Sequence, residues 1–134
     1  MKKDTLLAHA GRDPERYQGM VNTPVFRTST VLYPDLESYE APRDDDYQRI
    51  GYGRNGTPTT RALEDAVARL EGGYHAVALP SGAAAIAAAI SAFARSGTHL
   101  LLADPVYSPT RHFCEARLKP AGVEVEYYDP SIGA

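Results

Sequence analysis

The sequence predicts an α/β fold: an extended N-terminal arm over residues 1–56, then, over residues 57–134, the first βαβαβ part of a mostly parallel, doubly wound sheet, incomplete in this chain. Three observations carry that expectation. Up to Gly56 there is little sustained hydrophobic periodicity and many turn formers, among them Gly11, Pro14, Gly19, Pro24, Pro34, Pro42, Gly51 and Gly53. Beyond Thr57, short apolar runs alternate with stretches of helical period, which implies parallel strands joined by right-handed crossovers. After the last expected strand comes Asp129-Pro130 with no helix or charged edge to cover the sheet, so these residues are expected to be the N-terminal part of a longer protein.

A structureless stretch as long as the arm is unusual inside a compact domain and reads as a segment lying across something else. Within it, Val21 to Leu32 suits extended chain, and Asp35 to Ala41 suits a short helical turn with Leu36 and Tyr39 on one side. Thr57 as N-cap and Pro58 at the first helical position open an amphipathic helix. Its face is Ala62, Leu63, Ala66, Val67 and Leu70, and Gly72-Gly73 end it. His75 to Leu79 then reads as a short buried strand, Gly82 to Ala94 as an alanine-rich helix and Thr98 to Ala103 as an apolar strand. A helix from Ser108 or Pro109 to about Lys119 and a third strand from Val123 to Tyr128 follow.

Composition narrows the function classes. With 43% hydrophobic and 23% charged residues in 134, the chain should build a core, and a formal charge of -3 offers no basic field for a nucleic-acid backbone. The longest like-charge run is Asp44-Asp45-Asp46. Cys114, the single cysteine, excludes an intrachain disulfide and reads as a small core residue beside Phe113. After Lys2-Lys3-Asp4 the apolar run Leu6-Leu7-Ala8 is too short for a signal peptide, and no run approaches the roughly 20 apolar residues of a membrane span, so a cytoplasmic protein without a membrane partner is expected. His9, His75, His99 and His112 have no metal-ligand spacing, and no metal site is expected.

Three stretches hold the candidate chemistry. In Ala78-Leu79-Pro80-Ser81-Gly82-Ala83-Ala84-Ala85 an expected strand turns into a helix whose first N–H groups and dipole suit a phosphate. The same residues also suit a close-packed strand–helix corner. Tyr52-Gly53-Arg54 ends the arm with a guanidinium fork and a phenol, fit for phosphate or simply a glycine turn with a surface arginine. Asp104-Pro105-Val106-Tyr107 follows the Thr98–Ala103 strand, and in open α/β sheets ligands gather beyond the carboxyl ends of strands. There Tyr107 can stack on a flat ligand, transfer a proton or merely cap the core. Ser81 lacks the glycine two residues before it that a serine-hydrolase elbow requires.

Taken in order, these stretches resemble the pyridoxal-phosphate enzymes of cysteine and methionine metabolism. The likeness runs through Val21-Asn22-Thr23-Pro24, Arg27-Thr28-Ser29-Thr30, Tyr52-Gly53-Arg54, Gly56-Thr57 and Leu70-Glu71-Gly72-Gly73. It continues through Pro80-Ser81-Gly82-Ala83-Ala84-Ala85, Asp104-Pro105-Val106-Tyr107, Phe113-Cys114 and Asp129-Pro130-Ser131-Ile132-Gly133-Ala134. Within that family the pattern is most similar to the cystathionine β-lyase branch, on Arg27-Thr28-Ser29-Thr30, the alanines after Gly82, and the Phe-Cys and Ile-Gly-Ala pieces.

The resemblance implies a fold type I pyridoxal-phosphate domain and a cofactor site. Ser81, Gly82 and Ala83 would take the phosphate, Tyr107 would stack on the pyridine, and Tyr52 and Arg54 would reach the phosphate from a neighbouring subunit of a dimer or dimer of dimers. It implies a carbon–sulfur lyase acting on cystathionine, with cystathionine γ-synthase and methionine γ-lyase as alternatives, and a non-catalytic or dimerising fragment as the reading from another class. Such enzymes hold the cofactor on a lysine. The lysines here are Lys2, Lys3 and Lys119, none in a matching context, so this chain alone is expected to be inactive.

Overall fold

The computed structural model describes residues 2–41 and 50–132. Pro42, the Asp44-Asp45-Asp46 run and the terminal Gly133-Ala134 lie outside them. The chain divides into two compact units, Met1–Ala78 and Leu79–Ala134.

In the first unit, helix α1 (Lys3–His9) packs on helix α3 (Pro58–Glu71), and a short helix α2 (Leu36–Glu40) lies between them in sequence. Asp35 caps α2, its carboxylate accepting the Ser38 N–H at 2.7 Å; the Ser38 hydroxyl first and this N–H second lower the pKa of that carboxyl. The ends of α3 are as expected. Thr57 and Thr60 exchange reciprocal cap bonds, Pro58 occupies the first turn, and Gly72 closes the helix in the left-handed region at φ 68°. The arm folds back on this helix: the Thr59 hydroxyl donates to the Pro24 carbonyl and accepts the Phe26 N–H, both at 2.8 Å. Gly11, at φ 72°, comes so close to α3 that a Cβ there would stand 2.5 Å from the Ala62 carbonyl oxygen. The structural boundary thus falls at Ala78, and α3 groups with the arm residues.

The second unit holds a two-stranded parallel sheet, β1 (His99–Ala103) beside β2 (Glu124–Tyr128), paired from His99 opposite Glu124 to Ala103 opposite Tyr128. Helix α4 (Gly82–Ser91) precedes β1, and α5 (Ser108–Phe113) runs on into a π-helical turn, Cys114–Leu118, where the Lys119 N–H reaches the Cys114 carbonyl. Cys114, Leu118 and Val123 form the buried core, with Ile90, Leu100, Leu102 and Val125 packed against them. Cys114 is a core residue, as its position beside Phe113 suggests.

The expected strand at His75–Leu79 is not formed. No strand runs alongside it among the described residues, Val77 is 73% exposed, and the Ala78 N–H donates to the Glu64 carboxylate at 2.9 Å instead of to a ladder. A strand is defined by its neighbour, and an apolar run alone does not supply one. Two of the three expected strands are therefore present. No described helix is long and apolar enough to cross a membrane.

Candidate functional site

The sequence-predicted residues fall into two groups, one in each unit. In the second unit, Ser81 turns the chain into α4 with extended backbone and caps it, its Oγ accepting the Ala84 N–H at 3.1 Å. The Ala85 N–H is taken by the Ser81 carbonyl, so the N–H groups left at this terminus are those of Gly82 and Ala83, which have no acceptor among the described residues. A Cβ built on Gly82 would meet nothing within 4 Å, so a ligand can approach that backbone freely. The paired N–H groups, the spare hydroxyl hydrogen of Ser81 and the positive end of the helix dipole together fit a compact anion such as a phosphate.

Tyr107 stands at the carboxyl end of β1, after a turn in which the Val106 N–H donates to the Ala103 carbonyl. Its carbonyl accepts the N–H groups of Thr110 and Arg111 at the start of α5, which packs on α4. Tyr107 is 61% exposed and its ring makes no ring contact or hydrogen bond with a described residue, so the ring is open to a planar ligand. It does not cap the core.

In the first unit, Tyr52 pairs with Thr30 in an antiparallel bridge, and the Gly53 N–H donates to the Ser29 carbonyl at 2.7 Å. A side chain at Gly53 would run into the Thr28 carbonyl, so glycine is what lets the turn sit against residues 28–29. The Arg54 guanidinium stands 5.2 Å over the Tyr52 ring and makes no ion pair among the described residues. A phenol and an uncommitted guanidinium are thereby presented together.

Two residues with specific structural partners escape sequence reasoning. Glu64 is 6% exposed on α3, bonding Arg61 at 2.7 Å as well as the Ala78 N–H, although its position reads as part of a polar face. Arg111 binds both the carbonyl and the carboxylate of Asp104 and lies 4.0 Å from the centroid of the Tyr127 ring. Beneath it, burial first and the Glu115 carboxylate second push the Tyr127 phenol up to about 12.

Parallel strands, a helix terminus with two unpaired N–H groups and an open tyrosine beyond a strand end are features with which an α/β protein can hold a phosphorylated, planar ligand. The family model for Cys/Met metabolism PLP-dependent enzymes matches residues 4–134, and the chain belongs to that family, whose cofactor is pyridoxal phosphate. A Rhizobium johnstonii protein provisionally named cystathionine beta-lyase is 47% identical over 98% of this chain and 32% of its own length. The cystathionine beta-lyase MetC of Escherichia coli K12 is 39% identical over 99% of this chain and 34% of its own length. The crystal structure of metB from Corynebacterium glutamicum superposes with a TM-score of 0.85 at 30% identity, over 98% of this chain and 32% of that one. The chain thus spans about a third of the length of the curated relatives it matches.

Proposed function

We propose that this chain is the N-terminal part of a pyridoxal-phosphate-dependent carbon–sulfur lyase that cleaves L-cystathionine to homocysteine, pyruvate and ammonia, a step of methionine biosynthesis in the cytoplasm. Its similarity to cystathionine β-lyases supports the reading: 39% identity to the Escherichia coli enzyme, against 35% to the cystathionine gamma-lyase of Bacillus subtilis.

The N–H groups of Gly82 and Ala83 and the hydroxyl of Ser81 hold the cofactor phosphate, and the open face of Tyr107 lies on the cofactor ring. Residues 1–56 act as an arm toward a neighbouring subunit of a homo-oligomer, where Tyr52 and Arg54 add a hydroxyl and a guanidinium to the same phosphate. Residues 57–134 supply the first part of the cofactor-binding domain. When bound, pyridoxal phosphate draws electrons from the substrate's α-carbon, so that the protein's own work is orientation, phosphate anchoring and proton transfer. In this reading the Tyr107 hydroxyl would hold or pass a proton at the substrate. Lacking a lysine in a matching context, the 134-residue chain alone has no lyase activity.

A γ-specific reading is supported by the Bacillus subtilis relative and by the structural likeness to a Micromonospora echinospora methionine gamma lyase, with a TM-score of 0.77 at 33% identity. Product analysis of the complete enzyme on L-cystathionine decides. Homocysteine and pyruvate in equal amounts are expected, and cysteine with 2-oxobutyrate would overturn the β-lyase reading. Release of thiol by the isolated chain above the rate of free cofactor would overturn its inactivity.

A further inference from the structure

We propose that Arg111 is a positioning residue that sets the direction of the Tyr107 ring by clamping the loop 104–107 at both ends. The proposal rests on the reading of Tyr107 as the ring laid against the cofactor.

The Tyr107 side chain has no hydrogen-bond or ring partner among the described residues, so its direction is inherited from the backbone that carries it. Main-chain bonds hold that backbone from Val106 to Ala103 and from Asp104 to Tyr128, and Arg111 supplies the side-chain tie across it. At the near end of the loop, Arg111 Nη2 donates to the Asp104 carbonyl at 2.6 Å and to the Asp104 carboxylate at 2.7 Å. At the far end, the Tyr107 carbonyl accepts the main-chain N–H groups of Thr110 at 2.8 Å and of Arg111 at 3.2 Å, so the side chain of Arg111 acts at the Asp104 end and its backbone at the Tyr107 end. One residue thus bonds the first and last members of a four-residue loop.

The clamp is itself seated. The guanidinium lies 4.0 Å from the centroid of the Tyr127 ring, a stacking distance for a planar cation, and Tyr127 belongs to β2. The Asp104 N–H donates to the Tyr128 carbonyl at 2.7 Å, extending the ladder by one bond. Loop, α5 and the end of β2 therefore meet at one side chain. Charge-assisted bonds of this kind are the stronger class, and a guanidinium can keep its plane on a ring while one nitrogen serves two oxygens, which a neutral amide does poorly. Pro105 has no N–H and adds rigidity but no bond, leaving Arg111 as the residue that joins both ends.

The test uses the complete enzyme with Arg111→Gln, with Asp104→Ala as a second attack on the same link, and with Tyr107→Leu alone and combined with Arg111→Gln. Two quantities are read: amide exchange of Asp104 and Val106 in cofactor-free protein, and the dissociation constant for pyridoxal phosphate. Arg111→Gln is expected to speed exchange at both amides and weaken cofactor binding about tenfold, the scale of one lost charged bond, while amides inside α4 stay as slow as in wild type. In the Tyr107→Leu background the same substitution should change the constant less than about twofold, because the ring it directs is gone. Unchanged exchange in both Arg111→Gln and Asp104→Ala overturns the clamp. Equal losses of affinity with and without the Tyr107 ring overturn the route through Tyr107. If Tyr107→Leu binds the cofactor as tightly as wild type, the role of Arg111 in cofactor binding falls too; faster exchange in Arg111→Gln would then trace the failure to the reading of Tyr107 and not to the clamp.

Discussion

The carboxylate of Glu64, in the middle of α3, accepts the backbone N–H of Ala78 at 2.9 Å while its other oxygen bonds Arg61 at 2.7 Å. A buried acid on the helix thereby does for the segment at residues 75–79 what a neighbouring strand would do: it takes up a main-chain donor that has no ladder. Removing the carboxylate takes the Ala78 N–H's acceptor and leaves the Arg61 guanidinium, which also donates to the Asn55 carbonyl at 3.1 Å, without this charged partner; losing one partner of a buried pair is the costly case. Glu64→Ala is expected to destabilise the protein by about 2–4 kcal/mol. Glu64→Gln, which keeps an acceptor for Ala78 and loses only the charge, should cost about 1 kcal/mol. Denaturant melts of the two variants, with exchange at the Ala78 amide, check both figures; equal melts for wild type and Glu64→Ala would refute them.

Tyr127 makes the protein's stability sensitive to alkali. The folded phenol keeps its proton to about pH 12, whereas the unfolded chain releases it near 10.0. Between those values the unfolded state binds fewer protons, so this contribution is whole below pH 10 and is lost as the pH climbs toward 12. Tyr127→Phe, which keeps a ring under Arg111, should flatten that fall and remove a late-titrating phenolate from the alkaline absorbance curve. Identical pH profiles for the two proteins would count against the shift.

The turn carrying Tyr52 and Arg54 depends on the missing side chain of Gly53. Gly53→Ala must push the turn away from residues 28–29, breaking the Gly53-to-Ser29 bond and the Thr30–Tyr52 bridge, at roughly 1–3 kcal/mol. In the complete enzyme it should loosen cofactor retention on dialysis as Arg54→Ala does, with Tyr52→Phe milder by one hydrogen bond. Mixed oligomers test the shared site. An Arg54→Ala subunit paired with one lacking the cofactor-holding lysine should regain activity, because one site then has both residues; no gain over either parent would place Arg54 on its own subunit's site.

The sequence was most legible where structure is decided locally. Thr57, Pro58 and Gly72 mark the ends of α3, and Asp35 marks the start of α2, because capping involves residues three or four apart. β1 is readable as an apolar run between turns and β2 as a strand ending before Asp129-Pro130. His75–Leu79 reads as a strand too, yet a strand needs a partner, and the donor of Ala78 meets a side chain instead. Glu64 and Arg111 were invisible for a related reason: each reads as a solvated charge on a helix, and only Ala78, or Asp104 with Tyr127, brought near by the fold, reveals its use.

Tyr107 admits two roles that substitution separates. A stacked phenol contributes through ring overlap, roughly 0.5–1.5 kcal/mol beyond the area it covers, and its hydroxyl can separately carry a proton, worth about 10²–10⁴ in rate. The ring is open and uncommitted to any other described side chain, so replacing it disturbs no packing that would confuse the result. In the complete enzyme Tyr107→Phe should leave cofactor affinity nearly intact, while Tyr107→Leu should weaken it severalfold. If the hydroxyl carries a proton, Phe lowers the turnover rate at unchanged affinity; if stacking is the whole contribution, Phe turns over like wild type. Affinity is read by titrating cofactor-free enzyme and turnover by thiol release. Cofactor binding by Tyr107→Leu as tight as wild type would mean that the ring is not on the cofactor.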